Sequence, residues 1–350
     1  MQAGDDILKL LVEKGAEAAQ RALRGLILQP GALGDCILTL PLARLLKEQL
    51  KLGSVTVLGH TRYTGILPGR TCVDCVQSID SVSLHRLFLP TEEFDLDDND
   101  PLISVFAGYT WIVSFLGEPD SSVEQNLIFT TNCSHSAEVI TLSAKPKAEF
   151  SGHITEYYAQ QLIGESGVPL EPPPSRLDTA LIKATRSDTA AGMELLEEME
   201  ADFSKKLVVI HPGSGGVGKC WHIDNFVDLA AQLAQADFEV VFVLGPAESE
   251  RFGEKVIGKI GGVAKRAADL PLAQVVAILS CADIYIGNDS GITHLSAALG
   301  RRTIAVFGPS RADWYRPVGP AVTVLKSKNT DFSKKPCPEL QRLVHRLVTA

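Results

Sequence analysis

The sequence predicts an α/β chain made of two doubly wound, parallel-sheet domains. Three observations carry that reading. The 350 residues exceed what one core usually holds. Apolar runs of strand length alternate with segments apolar at helical spacing, in two separate series. Between the series lies Val168–Pro174, with prolines at 169, 172, 173 and 174, which no regular element tolerates.

The first series opens with Gly25–Gln29 as a strand. A turn-forming loop follows, Pro30-Gly31-Ala32-Leu33-Gly34-Asp35, and then a long helix from Cys36 to Leu50. Ser54–Leu58, Ile112–Leu116 and Val139–Leu142 read as further strands, and Ile154–Ile163 as a helix. The second series starts after a charged helix at about 188–202. It runs through strands at Leu207–His211, Val240–Leu244, Asp283–Gly287, Thr303–Phe307 and Val322–Leu325. Helices are expected at about 223–235, from about 248, at 272–280, and from the loop after Gly287 to Leu299. These give an N-terminal extension at 1–24, expected to be an amphipathic helix, and a first domain at 25–167. A linker at 168–185, a second domain at 186–335 and a closing helix within 336–350 complete the chain.

Composition narrows the function. Net charge is −9. Residues 1–180 carry 23 acids against 13 bases, and residues 181–350 carry 19 against 20. A basic face for nucleic acid is not expected, and the acidic first half gives no attraction to an anionic membrane. Six acids lie between Glu92 and Asp100, which reads as a solvated loop. Seven scattered cysteines argue against a disulfide framework and for a reducing, cytoplasmic setting. Cys72 and Cys75 have metal-ligand spacing without a second pair, so they are read as ordinary thiols. Residues 1–24 do not read as a secretory signal, and no run approaches the ~20 apolar residues of a membrane span.

Ligands of open parallel sheets bind beyond the carboxyl ends of the strands, and four loops lie there. In Gly287–His294, small residues let backbone approach a ligand. The amides of Ser290, Gly291 and Ile292 would stand at a helix start, where N–H groups and the dipole hold phosphate. Ser290 and Thr293 would add hydroxyls, and His294, one turn on, could reach the same anion. The plainer reading is that Asn288 or Asp289 only caps the helix. The loop from His211 to Trp221 is glycine-rich, with Ser214 and Lys219. It is not a P-loop, since Cys220 stands where Ser or Thr would follow the lysine. Lys219 could neutralise a leaving diphosphate, or the loop could be a mobile surface segment. After Gly245-Pro246, Glu248 could accept ribose hydroxyls, or simply begin a helix. Asp35 could be a general base on an acceptor hydroxyl, or again a helix-starting acid. The Gly31/Gly34 spacing lacks the dinucleotide fingerprint, so no nicotinamide cofactor is expected.

In this order the loops resemble glycosyltransferase family 9, the ADP-heptose:lipopolysaccharide heptosyltransferases. The carrying residues are Pro30–Asp35, His211–Ser214 with Lys219 and Trp221, Gly245-Pro246 with Glu248, Ala282–Gly291 with His294, and Phe307–Ser310 with Trp314. The resemblance implies a GT-B architecture, two Rossmann-like domains facing across a cleft, and an inverting, metal-independent transfer without cofactor. It implies Asp35 as the base and a donor site of Gly34, Ser214, Lys219, Glu248, Asn288, Asp289, Ser290, Gly291, Ile292 and His294. ADP-heptose is the expected donor and a lipopolysaccharide-core or other glycan the acceptor. Contact with a membrane is expected to be peripheral at most, at the inner face of the cytoplasmic membrane. Another GT-B enzyme, such as a nucleotide-sugar 2-epimerase, or a non-catalytic nucleotide-sugar binder would keep the same phosphate loops. Two departures from the family pattern stand out: His222 follows Trp221 where proline is frequent, and Gln29 ends the first strand where a basic residue is frequent.

Overall fold

A computed structural model describes residues 23–173, 177–327, 332–334 and 338–349. The helix expected at 1–24 lies almost wholly outside them. The chain forms two packed units. One contains the first strand with Thr39–Phe150 and Ile154–Pro173. The other contains the chain from residue 177 onward together with Leu33–Leu38 and Ser151–His153. The division therefore assigns the short helix bearing Asp35 to the second unit.

In the first unit, β1 (Arg24–Gln29), β2 (Ser54–Gly59), β3 (Cys75–Ser78), β4 (Trp111–Ser114) and β5 (Glu138–Thr141) form one parallel sheet in the order β3-β2-β1-β4-β5. Leu26, Leu28, Leu58, Phe106, Ile112 and Leu127 fill its core. Each such side chain contributes about 1.5–3 kcal/mol on leaving water. Gln29 is buried at the end of β1. Its Nε2 donates to Thr39 Oγ1 at 2.7 Å and its Oε1 accepts from the Gly31 N–H at 2.9 Å. A buried amide must find partners, and here it spends them on shaping the loop that leads to Asp35.

The helix expected from Cys36 to Leu50 is two helices, Leu33–Leu38 and Leu40–Gln49, joined at Thr39. Pro41 is the cause. It lacks the N–H that would continue the first helix by bonding back to Ile37, so it fits only the first turn of a new helix. The acidic patch is also less uniform than expected. Asp100 is buried, caps the helix Pro101–Phe106 by accepting from the Leu102 N–H at 2.9 Å, and pairs with Arg86 at 2.7 Å. The remaining acids of the patch are at the surface.

The second unit holds β6 (Lys206–His211), β7 (Phe238–Leu244), β8 (Lys265–Ala268), β9 (Ile284–Asn288), β10 (Arg302–Phe307) and β11 (Val322–Lys326). Their order is β11-β10-β9-β6-β7-β8, all parallel. The strand order reverses between β6 and β9, which is where a doubly wound sheet opens a crevice at its carboxyl edge. The loops after these two strands are the lysine-glycine loop and Asp289–Gly291. His222 caps the helix Ile223–Gln235, its Nδ1 accepting from the Asp224 N–H at 3.3 Å. The imidazole thus serves the helix start where proline was expected. The charged helix expected at about 188–202 runs Arg186–Glu198, entered through a Thr185/Asp188 capping box.

Candidate functional site

β6 and β9 are neighbours in register, with His211 beside Gly287. Their outgoing loops are therefore held side by side. Asn288, fully buried, fastens them. Its Nδ2 donates to Pro212 O at 2.7 Å and its Oδ1 accepts from the Trp221 N–H at 2.9 Å. One side chain thus closes both ends of the glycine loop. Its amide is consumed by backbone, so its role is to hold the two loops together.

The loop is tied again one residue on. Ser214 Oγ donates to Asp289 O at 2.6 Å, and Lys219 Nζ lies 3.1 Å from Asp289 Oδ2. The two ends of that ion pair differ in exposure. Asp289 is 7% exposed while the Lys219 side chain is 48% exposed. The ammonium end of the pair is therefore reachable from solvent, while the carboxylate end is enclosed by the loops.

The helix Gly291–Ala298 begins here. Ser290 is its N-cap, accepting from the Thr293 N–H at 3.3 Å, so neither Asn288 nor Asp289 is the cap. The Thr293 hydroxyl does not face an anion. It is fully buried, donates to Asn288 O, and lies 2.9 Å from the Tyr285 hydroxyl and 3.0 Å from Ser290 Oγ. The N–H groups of Gly291 and Ile292 remain at the helix start, on half-buried residues.

His294 sits one turn further along, 4% exposed, with Nε2 3.9 Å from Asp289 Oδ1. Burial lowers its pKa to about 4; Asp289 opposes the shift and Lys219 adds to it. The ring is therefore neutral near pH 7. It stands beyond hydrogen-bond distance of Asp289 and carries no positive charge there. Its Nδ1 has no partner among the described residues.

Gly34 lies against this ring: a Cβ there would be 3.4 Å from His294 Cδ2. Gly291 has a second role besides its amide. A Cβ on it would come 2.9 Å from Leu33 Cβ, so the helix Leu33–Leu38 can press this close only on a glycine. Asp35, in the first turn of that helix, is exposed. Tyr315 registers its position. Burial raises the Tyr315 pKa most, the carboxylates of Asp35 and Asp289 raise it further, and Arg311 opposes. Sequence reasoning passed over Tyr315, since a tyrosine at the end of the short helix Ala312–Tyr315 carries no motif.

Glu248 is buried at the third position of the helix Pro246–Arg251, where Oε2 accepts from the Gly245 N–H at 3.0 Å. Arg251 lies 3.8 Å from Oε1. Gly213 allows this placement, because a Cβ there would fall 2.1 Å from Glu248 Oε1. Beneath lies His211, its Nδ1 2.9 Å from Val243 O, held neutral by burial against the pull of Glu248. Cys220 keeps its thiol protonated through burial, with Arg251 Nη1 3.2 Å from its sulfur. The thiols of Cys72 and Cys75 are free. Among the described residues no group of three or more His, Cys, Asp or Glu side chains converges as a metal site, and no helix is long and apolar enough to cross a membrane.

The model for glycosyltransferase family 9 (heptosyltransferase) matches residues 132–343. A lipopolysaccharide heptosyltransferase 2 of Salmonella typhimurium is 28% identical over 138 residues, 37% of this chain and 39% of that protein. A putative glycosyltransferase of Haemophilus influenzae is 32% identical over 34% of this chain and 35% of its own length. The chain thus matches less than half the length of these curated relatives. Among solved structures, a family 9 glycosyl transferase from Veillonella parvula superposes with a TM-score of 0.68 at 17% identity, covering 87% of this chain and 86% of that one. An Escherichia coli heptosyltransferase solved with ADP superposes at 0.62 and 17% identity, covering 94% and 100%. At such identities the likeness is one of fold.

Proposed function

The chain belongs to glycosyltransferase family 9 and has the GT-B fold, and from that premise we propose that it moves a heptose-like sugar from ADP-heptose to a lipopolysaccharide-core or other glycan acceptor. The observation that carries this reading is the pairing of Lys219 with Asp289 at the start of the Gly291–Ala298 helix, on the two loops flanking the strand-order reversal. A diphosphate needs concentrated positive potential in a crevice that backbone can line. The lysine, the helix dipole and the Gly291 and Ile292 amides supply it.

In this reading the donor diphosphate displaces Asp289 from Lys219 and takes the helix amides. Ser214, Asn288 and Ser290 hold the loops in shape for it. Asp289, freed from lysine, and neutral His294 are left to hydrogen-bond sugar hydroxyls. Glu248, in the first turn of the helix that follows β7, orients the ribose edge. Asp35 takes the proton of the acceptor hydroxyl as its oxygen bonds to the anomeric carbon and the bond to the ADP oxygen breaks. Attack opposite the leaving group inverts the anomeric centre. The positive charge comes from lysine and amides, so the reading needs neither metal nor cofactor. The enzyme would work in the cytoplasm, with peripheral contact at the inner membrane face where its acceptor lies.

Calorimetric titration with ADP and with ADP-heptose tests this. Wild-type protein is expected to bind both, and Lys219→Ala to bind each about tenfold or more weakly, the loss of one charge-assisted contact. Absence of ADP binding by wild type would remove the nucleotide assignment. Binding without any transfer would leave a non-catalytic nucleotide-sugar binder.

A further inference from the structure

At the amino-terminal edge of the second sheet, opposite the loops just described, a cleft of about 270 Å³ opens beside the start of β6. Its apolar wall is Met193, Leu196, Phe203 and Leu207. Its polar rim is Asp202, Glu239 and Asp283, with Lys205 as the lining cation. None of these residues serves the proposed transfer.

The wedge has a local cause. Gly192 meets the helix Leu272–Cys281 backbone to backbone, since a Cβ on it would be 2.2 Å from Ala277 O. Met193, the next residue, is turned outward and is 51% exposed, and Phe203 is 54% exposed. Two large apolar side chains flanking one cleft are costly to leave in water, and such patches mark interaction sites. The rim is electronegative. Lys205 is engaged by Asp237 at 3.2 Å and Asp202 at 3.7 Å. Asp283 Oδ2 accepts from the Leu207 N–H at 2.8 Å and Glu239 Oε2 from the Asp202 N–H at 3.2 Å, which leaves each carboxylate a second oxygen.

We infer that this cleft docks a segment of another protein that presents an aliphatic or aromatic anchor flanked by lysine or arginine. The volume suits one or two side chains, and Met193 and Phe203 extend the apolar surface past what a small molecule would cover. Carboxylates at the rim complement a basic flank and repel an anionic membrane. A symmetric pairing with a second copy would set these carboxylates against each other.

The test uses the full chain and two fluorescent peptides, acetyl-Arg-Leu-Phe-Leu-Arg-amide and its Glu-flanked counterpart, read by anisotropy. The basic peptide is expected to bind, and the acidic one about tenfold or more weakly. Phe203→Ser, Met193→Ser and Glu239→Gln are each expected to weaken the basic peptide several-fold, while melting temperature and ADP affinity stay at wild-type values. No binding of the basic peptide, equal binding of both peptides, or binding indifferent to all three substitutions would overturn the proposal. So would a wild-type dimer that Phe203→Ser converts to monomer, since the occupant would then be a second copy.

Discussion

Asn288 accepts the Trp221 N–H at 2.9 Å while it gives its own N–H to Pro212 O at 2.7 Å. A side chain at the end of β9 therefore sets the span of a loop that begins after β6. Both bonds are buried, so their loss leaves backbone groups without water to replace the partner. Asn288→Ala is expected to destabilise the fold by about 2–4 kcal/mol, as two buried groups lose their partners. Asn288→Asp keeps the acceptor for Trp221 but sets a carboxylate against Pro212 O, and should cost at least as much. Denaturant unfolding checks both. A stability change below about 0.5 kcal/mol for Asn288→Ala would show that the loops hold without this tie.

Gly213 makes room for Glu248. Any Cβ at Gly213 would overlap Glu248 Oε1, so Gly213→Ala must push out either the loop or the carboxylate. The expected result is about 1–3 kcal/mol of lost stability, the usual range for overpacking. ADP binding should weaken as well, because the loop carries Lys219. Wild-type melting and wild-type ADP affinity in Gly213→Ala would contradict the close approach.

Two buried histidines couple the fold to acid. His294 and His153 are each lowered from 6.5 to about 4 by burial. His153 Nε2 lies 2.8 Å from Arg316 O. Below about 6.5 the unfolded chain takes up protons that the folded chain refuses until pH reaches about 4. Stability contributed by the neutral rings is thus complete above 6.5, falls as pH drops from 6.5 to 4, and levels off below. The loss is up to about 3 kcal/mol per histidine. Urea unfolding across that range should show a shallower fall for His294→Gln than for wild type. Parallel curves would mean that His294 titrates normally in the folded chain.

The fold was legible where periodicity and punctuation agreed. The helix at 223–235 and the strand at Leu207–His211 stand where the pattern placed them, save for one residue at the strand start. β3 and β8 were not read, because Cys75–Ser78 and Lys265–Ala268 are edge strands of mixed exposure with no apolar run. The Pro41 break was visible as a residue, but the apolar spacing continued across it. Among site residues, spacing could place Asp289 and Gly291 at a helix start. It could not show that Thr293 turns inward to Asn288 O, that Asn288 reaches Pro212, 76 positions away, or that burial keeps His294 uncharged. These depend on partners brought by the sheet order, which local sequence does not encode.

Transfer itself tests the central claim most directly. Labelled heptose from ADP-heptose is followed onto truncated lipopolysaccharide acceptors, with wild type beside Asp35→Ala. Asp35 is exposed in a short helix, so its removal should leave the fold and ADP binding intact. The account predicts label transfer by wild type and a loss of about a hundredfold or more in Asp35→Ala, the scale of a general base. Undiminished transfer by the variant, or a wild type that neither binds ADP nor labels any acceptor, would contradict it.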